Sequence, residues 1–134
     1  MFKLIKIVNS GVNVPEIIKL PKSTSLTVKM GSALTLSGGN VTMCSPTSVP
    51  THIAAEDADA SKNSVFCYAV CGNMLFETVF SASPASLALG DKVTLATDSS
   101  SCTGKVSATT ASGVATIVDL MNAKASGDKV TVKF

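Results

Sequence analysis

The chain has 134 residues, 46% of them hydrophobic and only 15% charged, with a formal net charge of +2. That is the size of one ordinary domain with a single core. All of its positive charge is Lys, scattered singly, and the absence of Arg removes the planar fork used on phosphates and guanine edges, which argues against nucleic-acid recognition.

Val, Thr and Ser are abundant, Gly and Pro punctuate the chain, Trp is missing and Tyr68 stands alone. This composition favours strands and turns over helices. Residues 2–8 (FKLIKIV) read as a short strand ended by Asn9-Ser10-Gly11. Pro15 and Pro21 frame an apolar EIIKL, and Pro cannot serve a central ladder, so an extended arm or an edge strand is expected there. Leu26, Val28 and Met30 alternate as a half-buried strand would. Ala33–Leu36 resumes after Gly31, and Gly38-Gly39-Asn40 turns into VTMC.

CSPTSVP is loop, residues 52–55 form a short strand, and EDADASKN is an exposed polar loop. SVFCYAVCGNMLFETVF holds two strands with Gly72-Asn73 as the turn between them, and Phe66, Met74, Phe76 and Phe80 are core or interface candidates. KVTLAT, KVSATT, ATIVDLMNA and the closing GDKVTVKF follow as strands. ATIVDLMNA could also make a short helix, but its β-branched start and flanking turns favour a strand. The expected fold is all-β: a small barrel or sandwich of about nine short strands, with residues 1–22 as an N-terminal strand or arm and 23–134 as one β-rich domain.

The start MFKLIKIVNS lacks the roughly 7–15 uninterrupted apolar residues of a secretory leader, and no run approaches the ~20 of a membrane span. Use in the cytosol, or in a particle assembled there, is expected. Cys44, Cys67, Cys71 and Cys102 are even in number, but a domain with a good core needs no staples. In a regular strand Cys67 and Cys71 would share a face at ~13 Å by strand rise, too far for a disulfide. Buried free thiols are expected.

Little else resembles chemistry. Glu56, Asp57 and Asp59 lack the glycine and final Glu of a calcium loop, so a solvated loop is expected. His52 is the one histidine, with no G-x-S-x-G elbow and no zinc-knuckle spacing. No glycine run forms a phosphate cradle. The expectation is a protein that is not an enzyme and has no catalytic residue, cofactor or metal. A small hydrolase using His52 with a Ser is the alternative. GDKVT occurs at 90–94 and again at 127–131. Gly supplies positive φ, Asp bonds back to the turn, Lys points to solvent, Val inward and Thr outward, which makes it turn chemistry used twice.

GSALTLSGGNVTMCSPTSVPTHIAAE, with its G-x-A-L-x-L…G-x-V strand pair and extended P-T-H-I-A crossing, resembles the opening half of small phage head proteins. LALGDKVTLATDSSSCTG and NAKASGDKVTVKF resemble their later halves. Over roughly residues 31–134 the chain is similar to the capsid decoration (head-stabilising, cement) proteins of tailed bacteriophages. The resemblance implies a virion protein on the capsid exterior, assembled in the host cytoplasm. It further implies a homo-oligomer, typically a trimer, that bridges copies of the major capsid protein without catalysis, nucleic acid or membrane. Another phage tail or baseplate domain, or an adhesion module, is the alternative. An N-terminal arm could add a strand to a capsid-protein sheet, which makes Phe2, Leu4, Ile7, Ile17, Ile18 and Leu20 the candidate partner contacts. Equally, FKLIKIV could belong to the domain's own sheet. The low surface charge likewise admits a covered face or plain solubility.

Overall fold

The computed structural model describes residues 1–8, 15–98 and 103–134, so Cys102 and the Asn9-Ser10-Gly11 turn lie outside the described residues. Among the described residues there are twelve strands and no helix. They are β1 (Lys3–Ile7), β2 (Ile17–Pro21), β3 (Ala33–Ser37), β4 (Asn40–Met43), β5 (His52–Ala54) and β6 (Ser64–Ala69), followed by β7 (Met74–Val79), β8 (Lys92–Val93), β9 (Leu95–Thr97), β10 (Thr103–Val106), β11 (Ala115–Asp119) and β12 (Lys129–Lys133). One five-stranded antiparallel sheet runs β1-β7-β12-β11-β8 and a second runs β2-β6-β5-β3-β4, while β9 and β10 form a separate ladder. The fold is all-β and sandwich-like, with no closed barrel.

Alternation builds the main core. Met74, Phe76, Thr78 and Phe80 point inward from β7 and its end, and Val130 and Val132 do so from β12. Phe2, Ile53, Leu95, Val106 and Ile117 join this core, with the smaller Ala33, Cys44, Val93 and Ala115 between them. Its centre is aromatic. Phe2 lies edge-on to Phe134 at 5.3 Å, Phe76 is 5.5 Å from Phe134, and Tyr68 stacks parallel to Phe76 at 6.4 Å. Such pairs add about 0.5–1.5 kcal/mol beyond the area they bury. A smaller core of Val28, Leu34, Val41, Ala54, Ala58, Val65 and Cys67 sits under the second sheet. That sheet curls until its edges touch at one parallel bridge, Lys22 to Val41. The buried Lys22 side chain donates to the carbonyls of Leu26 (2.8 Å) and Ser23 (3.1 Å), which fixes the bend after β2.

Several expectations change. Leu26-Val28-Met30 is not a ladder strand; it makes a single bridge, Val28 to Ala58, and Met30 is exposed. Gly72-Asn73 does not close a hairpin, because β6 and β7 belong to different sheets and the turn carries the chain across the sandwich. KVTLAT breaks at Thr94: Val93 pairs with β11 and Leu95 with β10, while Thr94 exchanges bonds with Thr109 and Ser107 (2.9 and 2.8 Å). The KVSATT strand begins earlier, at Thr103, and ends at Val106. Cys44 and Cys67 are buried free thiols, but Cys71 lies past the end of β6 and is exposed.

The repeated GDKVT is one device at two places. Gly90 and Gly127 both have φ +91°. Gly90 N–H donates to Ile117 O (2.9 Å) and Ile117 N–H returns to Asp91 O (2.8 Å). Gly127 N–H donates to Phe80 O (2.8 Å) and Phe80 N–H returns to Asp128 O (3.0 Å). The Asp91 carboxylate accepts from Ala88 N–H at 2.8 Å, and that of Asp128 from Ala125 and Lys124 N–H at 2.9 and 2.8 Å. Lys92 and Lys129 are exposed and Val93 and Val130 buried as expected, but Thr94 and Thr131 are buried too, Thr131 within β12 between β7 and β11, and Thr94 at the break between β8 and β9, where its backbone bonds to Thr109 and Ser107. A Cβ at either glycine would meet no atom within 4 Å, so the constraint there is conformational. Gly90→Ala and Gly127→Ala are each expected to destabilise by about 1–2 kcal/mol. Urea midpoints equal to wild type would refute this.

Candidate functional site

The polar groups that suggested chemistry are engaged in structure. His52 is nearly buried, its Nδ1 lies 2.9 Å from Thr51 Oγ1, and burial lowers its pKa. Burial raises the Cys44 thiol and pushes that of Cys67 up to about 11, which keeps both protonated and unreactive at neutral pH. In the acidic loop, Asp57 accepts Met30 N–H at 2.8 Å and pairs with Lys29 at 3.2 Å. Asp59 accepts Ser61 N–H at 2.9 Å, while Glu56 accepts Phe66 N–H at 3.2 Å and pairs with Lys62 at 3.3 Å. Among the described residues no group of three His, Cys, Asp or Glu side chains is placed to hold a metal.

These carboxylates make the fold sensitive to acid. Backbone hydrogen bonds, from Met30 to Asp57 and from Lys124 and Ala125 to Asp128, hold those two carboxyls below the usual carboxylate range; for Asp59 the Ser61 hydroxyl is the largest cause, followed by the Ser61 N–H. A depressed folded-state pKa contributes stability above the ordinary carboxylate range and loses it as pH falls through the folded value. Tm is therefore expected to be flat from about pH 7 to 5 and to drop below about pH 4. Replacing Asp57, Asp59 and Asp128 together by Asn should flatten that drop; an unchanged acid profile would contradict the assignment.

An apolar groove of about 550 Å³ lies where the two sheets meet at their edge strands β1 and β2. Phe2 and Leu4 line it from β1 and the residue before it, Pro15 and Ile17 from β2 and its approach, and Tyr68 and Val79 from β6 and β7. Phe2 N–H donates to Gly31 O at 2.9 Å, which ties the residue before β1 to the second sheet. Burial raises the Tyr68 hydroxyl, with a backbone hydrogen bond from Leu4 opposing it. Met1, Ile17 and Met30 stand at the rim, 58%, 55% and 51% exposed.

The six residues expected to meet a partner fall in different settings. Phe2 is 2% exposed and is spent on the chain's own core. Leu4 and Ile7 pack half-buried against that core, and Leu20 against the smaller one. Ile18 is half-buried, and Ile17 is open at the groove. FKLIKIV belongs to the domain's own sheet, as β1 paired with β7. Met1 and Met30 escaped the sequence reading. Met30 follows an alternation that ends in a turn, and only the docking of β1 onto Gly31 brings Met1 beside it.

No protein-family model matches the chain, and no curated protein does. Among solved structures, the chain is similar to the crystal structure of the head fiber gp8.5 N base in bacteriophage phi29. The TM-score is 0.54 at 16% identity, covering 89% of this chain and 94% of that one. The fold is shared. At so low an identity the likeness extends to the fold over nearly both lengths, and to no particular residue.

Proposed function

We propose that this chain is a structural component of a phage head. On this reading it sits on the outside of the capsid as a homo-oligomer, a trimer in the first instance, and braces neighbouring copies of the major capsid protein. The likeness of fold to a head fiber base, spanning nearly the whole of both chains, carries the reading. Engaged carboxylates, a His52 whose side-chain partner is Thr51, and protonated buried thiols support a role without chemistry. An all-Lys positive charge with no basic run supports a protein partner over nucleic acid or membrane. Capsids stripped of this protein should rebind it to a fixed stoichiometry and resist heat disruption better than bare ones. Absence of saturable binding would end the proposal, and gold label on the tail would move the protein to a tail role.

A further inference from the structure

A polar depression of about 520 Å³ lies where β2 and β6 meet the loops next to them. Lys19 stands opposite Phe66 in the ladder, and Ser64 comes two residues before Phe66, so the three share one face of the sheet. Two residues further along that face, Tyr68 is taken into the main core and stacked on Phe76. Phe66 instead is exposed, with no ring beside it among the described residues. The Lys19 ammonium stands over its ring, 5.9 Å from the centroid. The polar groups around it are of two kinds. Lys62 is spent on Glu56 at 3.3 Å and on the Asp57 carbonyl at 3.0 Å. Asp57 pairs with Lys29, and Asp59 is held by the N–H and hydroxyl of Ser61. By contrast, the side chains of Thr24, Asn63 and Ser64 make no hydrogen bond among the described residues, and Lys19 makes no ion pair.

We propose that this depression binds a sugar residue carrying a carboxylate. Two hydroxyls and an amide each donate and accept, which matches sugar hydroxyls, groups that also do both. The C–H face of a pyranose ring is apolar and slightly positive, and it suits the negative face of an exposed phenyl ring. Lys19, beside that ring and without a carboxylate of its own, supplies a charge-assisted partner for the sugar acid. The volume lies within the range of small-ligand sites, about 300–1,000 Å³. A wholly apolar ligand would strip water from Thr24, Asn63 and Ser64 and leave them without partners. A nucleic acid needs several cations for its phosphates, and here Lys19 alone is uncommitted while Glu56 lines the same depression. The inference goes beyond the proposed function and does not depend on it.

Amide-resolved NMR titrations with glucuronate, galacturonate and N-acetylneuraminate test it, with glucose as the neutral control. At least one of the acids should shift the backbone signals of Lys19, Ser64 and Phe66 saturably, and glucose should bind about tenfold more weakly. Lys19→Met, which keeps the stem and removes the charge, should bring that acid down to the level of glucose. Phe66→Ala should weaken the acid roughly two- to tenfold, and both variants should still melt cooperatively. No saturable shift with any of the three acids would overturn the proposal. So would glucose bound as tightly as the best acid, an acid preference that survives Lys19→Met, or shifts confined to another face. The capsid reading is tested separately: a chain that binds the acid sugar and ignores capsids sinks that reading alone, and one that binds capsids and no acid sugar sinks this one alone.

Discussion

A chain ended at Gly127 is expected to lose its cooperative fold. The missing strand, β12, is interior to its sheet, with β7 on one side and β11 on the other. Val130 and Val132 are fully buried, Thr131 is 6% exposed, and the ring of Phe134 touches those of Phe2 and Phe76. Three large apolar side chains at about 1.5–3 kcal/mol each already rival the ~5–15 kcal/mol of a typical domain. Removal would also leave facing edges of β7 and β11 with unpaired backbone groups. Circular dichroism and thermal melting of the truncated chain give the answer. A soluble product with a wild-type melt would show β12 to be dispensable.

Phe76→Ala is expected to destabilise the protein by about 3–5 kcal/mol. Its ring is fully buried, stacked on Tyr68 and in contact with Phe2 and Phe134, so truncation leaves a cavity bounded by other rings that cannot all collapse inward. The drop in Tm should exceed about 10 °C. Phe66→Ala is the control. Phe66 is 42% exposed, and its loss should stay within about 1 kcal/mol. Equal effects of the two substitutions would contradict the packing described.

That pair also marks what a sequence can and cannot disclose. Phe66 and Phe76 sit in similar apolar runs, and nothing local separates them. The difference arises because β6 and β7 join different sheets, a choice set by partners far away in the chain. For the same reason Gly72-Asn73 reads locally as a hairpin and is in fact a crossing. The Gly-Asp turns were legible because their geometry is contained within a few residues: a positive φ, a carboxylate and a strand. The burial of their threonines was not, since it depends on what covers the second face. The groove was least legible of all. It draws on residues near 2, 17, 30, 54, 68 and 78, and no spacing pattern contains them. Ile17 was singled out because two prolines frame its segment. Met1 and Met30 lacked any comparable mark.

The path of the chain through the sandwich also bears on how it is made. Strands β2 to β6 occupy an unbroken stretch and complete the second sheet, whereas the first is built from β7, β8, β11 and β12 together with β1. During synthesis the second sheet can pair as soon as β6 emerges. β1, made earlier than any of them, has to wait for β7 across everything between. Closing so long a loop is slow compared with local pairing. The N-terminal strand, with its exposed Ile5, therefore spends the assembly time without its partner, and the lysines on either side of that isoleucine discourage aggregation until β7 arrives.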